Sequence, residues 1–163
     1  MRVFTPHLPS LKQVAKCLTL FWFSTPCLGV HFIVEQPLNF GVVSISDNSV
    51  KSSLTITELG NVSSTHALWR ITPGEPGRYR FSGFAPFTRV NFSHLISQPL
   101  VHMGNGRGET FELKTLLMGS TQVADQYGEL VVPVGGVIES TGNNNPNYQD
   151  GDYQTRFSIT ISY

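Results

Sequence analysis

The stretch Tyr153-Gln-Thr-Arg-Phe157-Ser-Ile159-Thr-Ile161-Ser-Tyr163 decides the fold class. From Phe157 onward the odd positions carry large apolar side chains and the even positions carry Ser or Thr. A pleated strand with one buried and one wet face produces this period of two. The apolar face is therefore expected to be buried. Working back along the chain, a second alternation, Leu54-Thr-Ile56-Thr-Glu-Leu59, runs into Gly60-Asn61. A third, Tyr79-Arg-Phe81-Ser-Gly-Phe84, follows Pro73-Gly74-Glu75-Pro76-Gly77, a segment in which Pro fixes φ and Gly supplies the positive φ of tight turns. Further strands are expected over 38–45, 67–71, 90–96, 111–117 and 128–134.

No apolar repeat of 3.6 reaches helix length. Met103-Gly104-Asn105-Gly106-Arg107-Gly108 and the polar segment Ser140 to Asp152 read as loops. About eight short strands with turn signals between them, and no alternation with helices, predict an all-β, immunoglobulin-like antiparallel β-sandwich. A closed barrel is the alternative. A chain of 163 residues has room for one such core.

The first 29 residues read as a signal peptide. Arg2, Lys12 and Lys16 give a basic start, Cys17 to Phe23 an apolar run, and Ser24-Thr25-Pro26 with Gly29 a cleavage region. The apolar run is short of the roughly 20 residues that span a bilayer, so export is expected and an integral membrane protein is not. The single sandwich domain is then 30–163, and the localisation is the periplasm, the cell surface or the extracellular space. Both cysteines, Cys17 and Cys27, lie in the leader, so the exported chain is expected to hold no disulfide, thiolate nucleophile or cysteine metal site.

The formal net charge is zero and 13% of residues are charged, which leaves no basic surface for nucleic acid. Gly104-Asn-Gly106-Arg-Gly108 precedes a strand rather than opening a helix and lacks the dipole and free N–H groups that cradle phosphate. His66, His94 and His102 have no metal-binding spacing, and Asp47, Asp125, Asp150 and Asp152 fall outside any twelve-residue calcium loop. No G-x-S-x-G elbow is present, and nothing selects a pair of facing carboxylates. No catalytic, cofactor-binding or metal residues are expected. Trp69, Phe81, Phe84 and Phe87 offer rings suited to sugar stacking or, as the preferred assignment, to the core.

Four landmarks in fixed order carry a resemblance. They are Leu38-Asn-Phe40-Gly41; Ile71-Thr-Pro-Gly-Glu-Pro-Gly77; Val132-Pro-Val134-Gly135-Gly136; and Gly151-Asp-Tyr153 leading to Phe157-Ser-Ile159-Thr-Ile161-Ser-Tyr163. In this order they resemble a bacterial exported family, the domain of unknown function 4402. The C-terminus is also similar to subunits of pili assembled by the chaperone–usher route, whose terminal strand has a glycine twelve positions before a near-terminal tyrosine. Gly151 and Tyr163 have that spacing.

The expected function is that of a non-enzymatic structural protein, a fimbria-like or cell-surface subunit. Its possible assembly strand carries Gly151, Tyr153, Phe157, Ile159, Ile161 and Tyr163, and its partners would be itself or an assembly chaperone, joined by strand addition. The alternative is an extracellular binding module for carbohydrate or protein, with Trp69 and Tyr148 as ligand contacts.

Overall fold

The structure is a computed structural model that describes residues 29–96, 101–102, 108–145 and 148–163. The expected leader, most of the glycine loop around Gly104–Arg107, and Pro146 lie outside the described residues. Among those described, thirteen strands and no helix are found: β1 (His31–Gln36), β2 (Val42–Ile45), β3 (Ser53–Ile56), β4 (Val62–Ser64), β5 (Leu68–Thr72), β6 (Gly77–Ser82), β7 (Arg89–Ile96), β8 (Val101–His102), β9 (Glu112–Leu117), β10 (Thr121–Val123), β11 (Glu129–Glu139), β12 (Tyr153–Gln154) and β13 (Phe157–Ser162). All pairings are antiparallel.

The larger sheet runs β1-β6-β11-β3-β4, with β9 also on β11; the smaller runs β10-β7-β13. Two short ribbons, β2-β5 and β8-β12, complete the set. Aromatic rings join the two sheets face to face. Phe81 on β6 packs on Phe92 of β7 at 5.7 Å, and Tyr79 on β6 meets the edge of Phe157 on β13 at 6.1 Å. Beneath them Leu54, Leu130, Val132, Val134 and Ile138 are buried, and this shared apolar layer is the core of the sandwich.

The strand boundaries differ from the sequence expectation for local reasons. The run 38–45 begins as a strand only at Val42, because Asn39 forms an isolated bridge to Glu75 and Gly41 sits at φ +76°. A Cβ on Gly41 would come within 2.2 Å of the Thr72 carbonyl oxygen, so only glycine fits. The run 54–59 stops at Ile56, where a turn closed by Gly60 N–H donating to the Thr57 carbonyl carries Leu59 into solvent. β11 continues past Val134 to Glu139 by changing partners, pairing β6 through its first half and β3 and β9 through its second. The terminal run is two strands, β12 on β8 and β13 on β7. β1 and β4 were not expected: Phe32-Ile33-Val34 is apolar without alternation, and Val62–Ser64 is too short to give a period.

The inner face of β13 is covered less completely than the alternation implies. Phe157, Ile159 and Ile161 are half-buried and Tyr163 is exposed. β13 ends its sheet, and no described strand lies beyond it to shield these side chains. Leu54, fully buried in the centre, should lose about 2–5 kcal/mol on Leu54→Ala. Ile159→Ala should lose clearly less. Urea unfolding of the two variants checks this, and equal losses would mean that β13 is as enclosed as β3.

Candidate functional site

Two surfaces hold the residues singled out in the sequence, and the first is the edge formed by β13. Its register on β7 pairs Phe157 with the half-buried Ile96, Ile159 with the exposed His94 and Ile161 with the buried Phe92; Ser158, Thr160 and Ser162 are exposed opposite Leu95, Ser93 and Asn91. Phe157 stands edge-on to Tyr79, and Tyr163 stands edge-on to Phe84 at 5.1 Å. Both ends of the strand are thus pinned by rings, a contact worth about 0.5–1.5 kcal/mol beyond area burial. Between them β13 has neither charge nor proline. Its edge away from β7 has no partner strand among the described residues.

Gly151 and Tyr153 do not share that edge. Gly151 lies at φ +140° in the turn before β12. The Tyr153 hydroxyl donates to the Gln149 carbonyl and accepts from the Gln149 N–H, both at 3.0 Å, while its ring meets Phe111 edge-on at 5.2 Å. Burial raises the Tyr153 phenol above its ordinary range, with the Gln149 backbone acting the other way. Tyr153 therefore anchors the approach to β13 rather than extending it.

The second surface surrounds the turn Ser46-Asp47-Asn48. Trp69 on β5 is 62% exposed, and its indole N–H donates to Ser46 Oγ at 3.3 Å. Val42 and Ile71 are exposed on the same β2-β5 ribbon. Phe87 is exposed as well, while Phe81 and Phe84 are in the core, so core packing holds for two of the four rings considered together. Behind the turn, Ile45, Ser46, Asp47, Asn48 and Tyr148 line a cavity of about 30 Å³, room for one or two waters. The structure thus places Trp69 and Tyr148 on the same turn, from different sides.

Asn48 and Glu109 were not singled out in the sequence, yet they organise this region. The buried Asn48 side chain donates to Thr141 Oγ1 at 2.9 Å, Asn143 Oδ1 at 2.9 Å and the Asn145 carbonyl at 2.7 Å, and accepts from the Gly142 N–H at 2.9 Å. Glu109 accepts from Thr141 Oγ1 at 2.9 Å and from Asn143 Nδ2 at 3.1 and 3.2 Å, and Asn145 also donates to it. The Tyr148 hydroxyl accepts from the Thr141 N–H at 3.1 Å, and its ring packs on Phe111 at 4.7 Å. Residues 141–145 are consequently held in place from three sides. The asparagine run itself was the only sequence signal, and it reads equally well as an ordinary turn.

The charged and titratable side chains near these surfaces are placed as follows. Asp47 spends its carboxylate on the Ser49 N–H and hydroxyl, and Asp125 spends one oxygen on the N–H groups of Tyr127 and Glu129. His94 is exposed on β7, and His66 is exposed at φ +52° beside β5. No group of three His, Cys, Asp or Glu side chains able to hold a metal occurs among the described residues. No described helix is long and apolar enough to cross a membrane.

Fold and surfaces together define an all-β sandwich protein in which, among the described residues, β13 is an uncharged edge strand and Trp69 is an exposed tryptophan held by Ser46. The model of the domain of unknown function 4402 matches residues 32–163, and the chain belongs to that family. Comparisons with curated proteins and with solved structures find no significant match.

Hydrogen bonds from Asn143 hold the Glu109 carboxyl below its ordinary value of 4.5; burial opposes them, and Thr141 and Asn145 add to them. A carboxylate with a depressed folded pKa contributes stability above its unfolded pKa and loses it as the pH falls through the folded one. Wild-type protein should therefore lose thermal stability faster than Glu109→Gln as the pH is lowered from 5 through and below about 4.5. Parallel melting curves for the two proteins check this.

Proposed function

We propose that the protein is a non-enzymatic, exported structural subunit of the cell surface, fimbria-like in the sense that its copies join through sheet edges. One observation carries this reading: β13 has no partner on its second edge among the described residues, half-covered apolar side chains and none of the charges or prolines that usually protect such an edge. An added strand would gain backbone hydrogen bonds from β13 and cover Phe157, Ile159 and Ile161 in a single step. Because β13 already pairs with β7, the mode is addition to an existing sheet rather than withdrawal of the strand from its own domain. The resemblance of the terminal segment to chaperone–usher subunits supports the same direction. An assembly chaperone is the other partner such an edge suits.

Protein taken from the surface of its native host should run as a ladder on detergent gels without boiling and as one band after boiling. Thr160→Lys places a charge on the exposed face of β13 and should remove the ladder while leaving the melting temperature nearly unchanged. A single unboiled monomer band for the wild type would rule this reading out.

A second reading, an extracellular module binding carbohydrate, is favoured by the Trp69 indole, held by Ser46 with most of its ring in solvent. Glycan-array binding that disappears in Trp69→Ala would establish it. Tyr148→Ala should mainly lower stability, because that hydroxyl and ring hold the 141–145 loop.

A further inference from the structure

At the far side of the larger sheet, β1 presents a different edge. It pairs only with β6 among the described residues, and its three central side chains face solvent in succession: Phe32 is 53%, Ile33 55% and Val34 49% exposed. Phe32 and Val34 pair with Phe81 and Tyr79 on the inner face, whereas Ile33 pairs with Arg80 on the outer face. Both faces of one unpaired edge are therefore apolar. A strand meant to stay single normally carries charge at these positions.

We infer that β1 is a self-recognition edge, pairing antiparallel with β1 of a second copy across a two-fold axis centred on Ile33. The sequence His31-Phe-Ile-Val-Glu-Gln36 is complementary to its own reverse in one register. In that register Ile33 faces Ile33 of the second copy, Phe32 faces Val34, and His31 faces Glu35. The apolar side chains meet apolar side chains on both faces, and an imidazole meets a carboxylate at each end. Shifting by two residues in either direction sets His31 or Glu35 against Ile33, so the pairing has one preferred alignment.

The surroundings of Glu35 fix the length of this edge. Arg80 binds the Glu35 carboxylate at 2.6 Å and Glu129 at 2.8 Å, and Arg78 approaches Glu35 at 3.6 Å. The β1–β6 register shifts between Val34 and Gln36, and Pro37 follows. A bulge followed by proline ends regular pairing, leaving a short segment centred on Ile33. A closed two-fold contact of this kind yields a discrete dimer whose larger sheet is continuous across both copies. It rests on the exposure and register of β1 and does not depend on the role given to β13.

The test uses the full-length exported protein. Facing residues in such a pair have Cα atoms about 4.5–5.5 Å apart, within reach of a disulfide. Ile33→Cys should form a reducible dimer under mild oxidation, with the wild type treated alongside as the control. Ile33→Lys sets two ammonium groups face to face and should weaken self-association roughly tenfold or more in sedimentation, with unchanged circular dichroism. A wild-type protein that stays monomeric at high concentration, or an Ile33→Cys chain that does not cross-link, overturns the inference. A dimer that survives Ile33→Lys but is lost in Thr160→Lys also overturns it, and assigns self-association to β13 instead.

Discussion

The structure hangs on β11. Its first half pairs with β6, and its second half lies between β3 and β9, so one strand of eleven residues carries three ladders. Val132 and Val134 are fully buried along it. Where the partners change, Gly135 passes so close to β3 that a Cβ would lie 2.1 Å from the Ile56 carbonyl oxygen. The backbone of β3 can reach β11 only because that side chain is missing. The larger sheet follows from this crossing, and the smaller sheet has a face to pack on because of it.

The fold class was legible wherever a strand buries one face and wets the other. β6 and β13 announce themselves by alternation, and the turn chemistry of Pro73 to Gly77 marks the entry to β6. β1 was illegible because its apolar residues are consecutive, a pattern that arises when an edge strand is left open on both faces. The length of β11 was hidden as well: Gly135-Gly136 looks like a strand end in sequence, whereas here it is a crossing point between neighbouring strands.

Of the candidate site, the sequence identified the residues that stand out chemically, Trp69, Tyr148 and the apolar row of β13, but not their circumstances. Tyr148 is anchored because Thr141 of its own loop and the distant Phe111 converge on it, and the second of these has no visible relation to it in one dimension. The partners of Asn48 lie more than ninety positions away, and a hydrogen-bonding network of that range has no periodicity to betray it. The exposure of Trp69 and the half-burial of β13 depend on which neighbours are missing, which pattern alone does not encode.

The order in which the ladders close has a bearing on biogenesis. β6 can meet β1 early but gains its second neighbour only with β11, and β7, which can meet β10, gains its second neighbour only with β13, whose Phe157 pairs with Ile96. Closing such distant pairs costs loop entropy before any contact repays it, so the two sheets are completed late, after the β2–β5 and β3–β4 ladders can already form. The same delay leaves one flank each of β6 and β7 open for longest, and makes the interval before β11 and β13 arrive the one in which wrong partners compete most strongly.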